Sequence, residues 1–214
     1  MKTLHRSVVV GLLGLALLWS APAQAYYLGN PAPHFKKGDM GVGLQLSDQR
    51  ETLFFDIALI DAGALELFYG NVDATPLSDG TEFGASYRQG VGQAFNIGDF
   101  PVTLGFLAGY RAGKFEVPIP FQQKKEEFEF TVLDVGFGGD LTPLPNLNTY
   151  AALIYERVEE ELDLPVFGKV SVTDSNLGAL LGVEYWALDR FIVGLELHPG
   201  LGDTDISIFG EVKF

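Results

Sequence analysis

Large apolar residues recur at every second position through most of the chain after residue 37, and this alternation constrains the fold more than any other feature. The cleanest stretch is 102–110, in which Val102, Leu104 and Phe106 alternate with small or polar residues. A period of two places successive side chains on opposite faces of a β-strand. No apolar run beyond residue 25 approaches the length of a membrane helix. If the chain crosses a membrane there, it must therefore do so as a closed barrel, in which every backbone group is paired.

The alternating segments predict an all-β fold, a single antiparallel up-and-down transmembrane barrel over residues 37–214. We expect ten strands, with eight as the alternative count, because the segments are separated by turns and are close to the length of a tilted membrane strand. The connections after strands 3, 5 and 7 are long and charged, at 71–80, 113–126 and 159–172. Longer external loops and short periplasmic turns are typical of outer-membrane barrels.

The apolar face of these strands is expected to point outward, toward lipid. It carries large residues almost throughout, whereas the other face mixes glycine with charges of both signs. A periplasmic barrel with the faces reversed, like a lipocalin, is the alternative. Tyrosines near the predicted strand ends favour a membrane, because aromatic girdles lie at its interfaces: Tyr69, Tyr87, Tyr110, Tyr150 and Tyr185.

Two strands depart from simple alternation. In 150–157 both faces are apolar, so the lipid-facing side is not assigned. In the strand that starts at Phe128 and Phe130, uninterrupted alternation would turn Asp134 toward lipid. We therefore predict a β-bulge near Val132–Leu133.

Charged residues on the opposite face form a predicted lumen network: Asp56, Glu66, Arg88, Arg111, Glu184 and Glu196. One interpretation is a packed, salt-bridged interior that holds a narrow barrel together. The other is a selectivity or gating network in a small pore. The packed interior is favoured, because a barrel of this size encloses little space once its side chains are added.

The first 25 residues have the three parts of a secretory signal. Lys2 and Arg6 precede an apolar stretch over 8–19, and Ala23-Gln24-Ala25 is a small-x-small cleavage site. We expect 1–25 to be cleaved, 26–36 to form a periplasmic amino-terminal segment, and the protein to reach the bacterial outer membrane through the periplasm. A retained anchor is the weaker alternative, because the apolar stretch is short for a bilayer span.

Composition removes several classes of function. A net charge of −14 repels nucleic-acid backbones, so no nucleic-acid partner is expected. With no cysteine in the chain, disulfides, thiolate metal sites and cysteine nucleophiles are excluded. Neither a metal nor a cofactor is expected.

The last nine residues resemble the carboxy-terminal signature of bacterial outer-membrane barrels. Ile206, Ile208, Val212 and Phe214 alternate and end in an aromatic residue, and only Gly210 departs from the pattern. The resemblance implies that this end is an assembly signal read by the barrel-assembly machinery. It also implies a final location among outer-membrane lipid and lipopolysaccharide.

Candidate catalytic residues are few. His198 lies at the predicted outer end of strand 9, near Asp203 and Asp205 across the hairpin, and a histidine beside an aspartate can serve as a general base. The placement weakly resembles omptin proteases, but no facing aspartate pair matches, so no omptin residue is carried over. His34 is expected to be a solvated residue in a flexible terminus. The sequence therefore favours a non-enzymatic barrel, either structural or a narrow pore for small solutes. The alternatives are an outer-mouth hydrolase acting on lipid or peptide, and a binding or adhesion protein that uses the three long loops.

Overall fold

The computed structural model describes residues 28–74, 78–118, 125–164, 168–188, 190–200 and 205–214. The described residues form ten strands and short turns: β1 (Met40–Ser47), β2 (Arg50–Ile60), β3 (Gly63–Ala74), β4 (Ser78–Ile97), β5 (Phe100–Pro118), β6 (Lys125–Leu144), β7 (Leu147–Leu164), β8 (Gly168–Ala187), β9 (Phe191–His198) and β10 (Asp205–Lys213). Within the described ranges, no helix is long and apolar enough to span a membrane.

Each strand pairs antiparallel with its sequence neighbour, and β1 pairs with β10 to close the barrel. The closing register runs from Gly41 opposite Lys213 to Ser47 opposite Ser207. Met40 and Phe214 extend it by exchanging backbone hydrogen bonds of 3.1 and 2.9 Å. The predicted ten-stranded barrel is thus confirmed, and the eight-stranded alternative is wrong.

The wall is apolar on its outer face and polar on its inner face. Leu53 is 55% exposed on the outside, whereas Asp56 on the same strand is fully buried inside. The same contrast holds around the barrel, with exposed Phe83, Leu153 and Ile208 on other strands. A protein surrounded by water would reverse this arrangement. The outer face therefore fits hydrocarbon, and the soluble alternative does not match the structure.

The long predicted loops are mostly strand. Val72 pairs with Gly80, Pro118 with Lys125, and Leu164 with Gly168, so the hairpins continue almost to their tips. The tips themselves, 75–77, 119–124 and 165–167, lie outside the described residues. β4, β6 and β8 each have 20 residues, about twice the roughly 9–11 that a tilted membrane strand needs. The charged residues at these strand ends made them resemble loops in the sequence. Where a strand extends past the apolar wall, its outer face meets water, so apolar and polar residues no longer need to alternate.

The predicted β-bulge near Val132–Leu133 is wrong. The β5–β6 register is continuous from Val102 opposite Leu141 to Pro118 opposite Lys125. Phe128 and Asp134 lie on the same face of β6, and both are buried inside the barrel. The alternation predicts that Phe128 faces lipid, and only that expectation requires a bulge. The ring of Phe128 stacks on that of Phe115, with centroids 5.2 Å apart and planes 2° apart.

The structure also assigns the face of β7, which the sequence left open. Tyr155 and Leu153 are exposed on the outer wall, whereas Tyr150 and Ile154 are buried inside. Tyr69, Tyr110 and Tyr185 are exposed as a girdle requires. The prediction that Tyr150 belongs to that girdle is wrong: it is a lumen residue, 4% exposed.

Candidate functional site

The lumen, meaning the space enclosed by the ten strands, contains most of the buried charge of the described protein. Its central ion cluster lies on three adjacent strands, where Asp56 of β2 is paired in register with Glu66 of β3. Arg88 of β4 reaches both carboxylates: its Nη2 lies 2.5 Å from Asp56 Oδ1 and 3.3 Å from Glu66 Oε2. All three side chains are buried, so the ion pairs are shielded from water and link the three strands on the lumen side.

A second ion cluster crosses the lumen nearer the outer end. Arg111 Nη2 of β5 lies 2.8 Å from Glu156 Oε2 of β7, and Arg111 Nη1 lies 3.8 Å from Glu82 Oε2 of β4. Glu82 Oε1 in turn lies 3.1 Å from Arg50 Nε of β2. Sequence reasoning missed three of these residues. They are Arg50, Glu82 and Glu156, and the last of them lies on the strand whose face the alternation left open.

Glu196 of β9 forms a third polar centre. Its Oε1 accepts hydrogen bonds from the Tyr150 hydroxyl at 2.6 Å and from the backbone N–H of Gly29 at 3.0 Å, and its Oε2 lies 3.2 Å from His198 Nε2. Glu184 of β8, the remaining predicted lumen residue, accepts a 3.5 Å hydrogen bond from the Asn148 amide. The six predicted charges therefore all face the lumen, but they belong to several separate clusters.

The amino-terminal segment, residues 28–35, lies inside the barrel. Leu28 packs in an apolar cluster whose other members, including Phe54, Leu107, Ile154 and Leu180, point inward from different strands. Asn30 and Ala32 are also buried. A side chain at Gly105 would collide with the Pro31 carbonyl, so the segment touches the β5 backbone there. A segment expected to lie in the periplasm ahead of the barrel thus occupies the lumen instead.

The segment is held by polar contacts at the mouth of the barrel that lies beside the β2–β3 turn. His34 Nε2 bonds the Asp140 carboxylate of β6. Lys213 Nζ of β10 lies 3.4 Å from the His34 carbonyl oxygen and 3.6 Å from the centre of the Phe35 ring. The Ala62 N–H, in the β2–β3 turn, donates a 2.8 Å hydrogen bond to the Phe35 carbonyl. The mouth is therefore closed by contacts from three sides.

His34 is not the solvated residue of a flexible terminus that the sequence suggested. Its side chain is 39% exposed but its imidazole is paired with a carboxylate that is almost fully buried. Burial lowers the pKa of His34, but the hydrogen bond and negative charge of Asp140 outweigh that effect, and the net pKa lies above its ordinary value. Seating of the segment therefore shifts the protonation equilibrium of His34 toward the imidazolium form.

The predicted catalytic group is not assembled among the described residues. His198 is 1% exposed and its ring bonds Glu196, so a substrate in the medium or the membrane has no path to it. Asp205 lies opposite His198 in the β9–β10 register. Asp203 lies outside the described residues. In the described part of the chain, no group of three or more acidic or histidine side chains is placed to hold a metal ion.

The residues of the predicted assembly signal share one face of the last strand. Ile206, Ile208, Val212 and Phe214 all point outward and are at least 45% exposed. They lie beside β1, whose Met40, Val42, Leu44 and Leu46 are exposed in the same way. The last strand is therefore both the closing seam of the barrel and part of its lipid-facing wall.

Comparison with known proteins finds solved structures with a similar fold but identifies no family for this chain. No family model matches the chain, and no curated protein matches its sequence. Among solved structures, the attachment invasion locus protein Ail of Yersinia pestis has 12% identity and a TM-score of 0.42, and the match covers 84% of this chain and 100% of that one. Neisserial surface protein A has 13% identity and a TM-score of 0.33, with 82% and 94% covered. The β-barrel domain of Pseudomonas aeruginosa OprF has the same identity and TM-score, with 82% and 96% covered. The chain is similar to small bacterial outer-membrane barrels.

Proposed function

We propose that this protein is a non-enzymatic structural barrel of the bacterial outer membrane with a closed lumen. The observation that supports the proposal is that buried side chains of the described residues contact one another at three successive levels along the lumen. The outer level is the second ion cluster, around Arg111 and Glu82. The middle level is the apolar cluster around Leu28, and the third is the mouth contact between His34 and Asp140.

The apolar level and the ion clusters oppose the passage of solutes for different physical reasons. The Leu28 cluster is mostly apolar, and the Tyr150 hydroxyl within it is bonded to Glu196, so the cluster offers little to replace the hydration of an ion and opposes charged solutes. Within each ion cluster the acidic and basic side chains pair with one another. Displacing a buried partner would leave an unpaired buried charge, which is strongly unfavourable in free energy. A selectivity network would instead leave charges facing water along a continuous path. The geometry therefore favours the packed interior over the narrow pore.

The route to the membrane belongs to the same proposal. Removal of residues 1–25 as a secretory signal, passage through the periplasm and recognition of the Phe214 end by the barrel-assembly machinery would deliver the chain. The exposed apolar wall would then meet outer-membrane lipid and lipopolysaccharide. The hydrolase alternative lacks support, because His198 is buried and bonded to Glu196.

Conductance in planar bilayers tests the closed lumen. The chain starting at Tyr26 is refolded, shown to be a barrel by its heat-dependent gel migration, and reconstituted. We expect no stepwise current. A double variant, Leu28→Asp with Ala32→Asp, should expel the amino-terminal segment and raise the frequency of openings. The matched control places aspartate at two exposed positions of the same region, Lys36→Asp with Lys37→Asp. Regular, stable current steps from the unaltered folded chain would overturn the proposal.

A further inference from the structure

Part of β8 has a neighbouring strand on one side only. On one side, pairing with β7 runs along nearly all of β8 without a register shift. On the other side, pairing with β9 covers only Leu181–Ala187, and one further hydrogen bond joins the Ala179 N–H to the Pro199 carbonyl at 2.9 Å. Within the described ranges, no strand lies beside the rest of that side. We call the backbone of 170–175 on this side the open edge of β8.

The connection between β9 and β10 is too short to cover the open edge. It has four residues between Gly200, which lies beside Leu177, and Asp205, which is already in β10. A chain of that length that goes out and returns advances less than about 10 Å, or about three strand residues. Thr173 and Ser171 lie farther than that from Leu177 along β8.

The open edge presents its backbone groups in a regular order. In an antiparallel strand, the N–H and C=O groups of alternate residues point to opposite sides. Because Ala179 donates toward β9, the backbone groups of Ser175, Thr173 and Ser171 point to that side, away from β7. The Ser175 N–H donates to the Asp174 carboxylate at 2.8 Å, as expected of a donor that no neighbouring strand accepts. The spacing of these groups is the one that an added strand requires.

The features that usually protect a strand edge are scarce here. Natural sheets protect exposed edges with proline, bulges or charged side chains. The open edge has no proline and no irregularity in its register with β7, and Asp174 is its one charged residue. The side chains of 171–175 are exposed on both faces of the strand. An added strand would therefore meet no element that covers either face among the described residues.

The side chains around the open edge are mainly acidic. Asp174 shares a strand face with Val172, which is paired in register with Glu160 of β7. Glu160 lies between exposed carboxylates beyond the apolar wall, and its pKa is raised to about 7, first by burial and then by the charge of Asp174. Strands lie about 4.8 Å apart, so a lysine or arginine on an added strand would reach Asp174 directly and Glu160 across one strand. Such a cation would offset the repulsion between the two carboxylates.

We propose that the open edge of β8 binds an extended, cationic segment of a partner protein by strand addition. The segment forms hydrogen bonds with the backbone of Ser171, Thr173 and Ser175, and it places a lysine or arginine beside Asp174. In this mode of recognition, main-chain hydrogen bonds supply affinity and alternate side chains supply selectivity. The open edge lies at the end of the barrel away from the β2–β3 turn, so the inference does not depend on the closed lumen.

Binding of a synthetic peptide to the refolded chain in detergent tests the proposal. The probe is a fluorescent peptide of about seven residues, an ordinary strand length, in which valine and threonine alternate around one central lysine. One control peptide has glutamate in place of the lysine, and a second has methyl groups on its backbone nitrogens. Fluorescence anisotropy measures the affinity, and heat-dependent gel migration shows that each protein variant is folded.

Two substitutions at Thr173 separate the backbone of the edge from its side chain. Thr173→Pro removes an N–H that faces the open edge, and the pairing with β7 remains because the backbone groups of Thr173 point away from β7. Thr173→Ala keeps the N–H and is the matched control. We expect Thr173→Pro to weaken binding of the lysine peptide at least about tenfold and Thr173→Ala less than about twofold. Asp174→Asn should reduce the preference for the lysine peptide over the glutamate peptide.

Several outcomes would overturn the proposal. The first is no binding of the lysine peptide by the unaltered chain up to about 1 mM, and the second is equal binding by Thr173→Pro and Thr173→Ala. Equal affinity for the methylated peptide would mean attraction without strand addition, and equal affinity for the glutamate peptide would contradict a cationic partner. Self-association of the unaltered chain that Thr173→Pro abolishes, without peptide binding, would assign the open edge to a second copy of this chain.

Discussion

Arg88 Nη2 lies 2.5 Å from Asp56 Oδ1 in the barrel interior, with both side chains withdrawn from solvent and Glu66 as a second acceptor. The arrangement inverts that of a water-soluble barrel, in which the interior is apolar and ion pairs lie on the surface. Here the wall faces hydrocarbon, so the interior is where charge can be paired.

Replacing Arg88 with methionine should destabilise the barrel strongly. Asp56 and Glu66 would remain buried without their cation, which costs about 3–5 kcal/mol in free energy of unfolding. Urea unfolding in detergent measures the change. As the control, Arg157→Met breaks an exposed pair with Glu159 and should cost less than about 1 kcal/mol. Equal losses in the two variants would show that the lumen pair has no special role.

Tyr150→Phe should weaken the third polar centre without enlarging any cavity. The substitution removes the 2.6 Å hydrogen bond to Glu196 Oε1 and leaves a buried carboxylate oxygen with one donor fewer, which costs about 1–3 kcal/mol. Tyr155→Phe changes the same group on the exposed face of the same strand and should be neutral within about 0.5 kcal/mol. The comparison is made by urea unfolding, and a neutral Tyr150→Phe would place the hydroxyl outside the stabilising network.

Seating of the amino-terminal segment should depend on pH through His34. The folded pKa of His34 lies above its ordinary value of 6.5 because Asp140 outweighs burial; Glu184 also favours the charged form and Lys213 opposes it. A raised pKa means that the seated state binds the proton more tightly, so this stabilisation is fully present below 6.5 and is lost as pH rises through the raised value. The chain has no cysteine, Ala32 is buried and Lys37 is exposed, so the thiol labelling rate of Ala32→Cys, divided at each pH by that of Lys37→Cys, reports release of the segment. This ratio should therefore rise as the solution becomes alkaline. His34→Gln should flatten the profile, and an unchanged slope in that variant would assign the pH dependence to another group.

Phe214→Ala should separate assembly from stability. The ring is 59% exposed on the outer wall, and the residue is joined to Met40 by backbone hydrogen bonds that alanine can also make. We expect the refolded variant to lose less than about 1.5 kcal/mol of stability in detergent, while the amount of folded barrel in cells falls severalfold. Phe191→Ala, also exposed on the outer wall, is the matched control and should assemble normally. Normal cellular assembly of Phe214→Ala would refute its role as a signal.

At the outer ends of the strands, alternation no longer predicts strand structure or the direction of the side chains. Alternation over 102–110 reflects one face in hydrocarbon and one in the lumen, and it predicts β5 correctly there. At Phe115, Phe128 and Phe130 the apolar side chains point inward, and beyond the membrane the outer face carries charges such as Lys114 and Glu129. Water on the outside reverses the pattern, so the sequence alone suggested a loop and a bulge in place of two continuous strands.

The sequence by itself determined that the outer wall faces lipid and that the barrel has ten strands. Alternation with a period of two is a local property, and it can be recognised in each strand separately. Six lumen charges could be named for the same reason. Only the tertiary structure decided which of them meet, since Arg111 and Glu156 lie 45 residues apart and are joined through the register of three strands. The tertiary structure alone also placed Leu28 at the centre of the lumen. Nothing in residues 28–35 alternates, and their position depends on a space that exists only once all ten strands have closed around it.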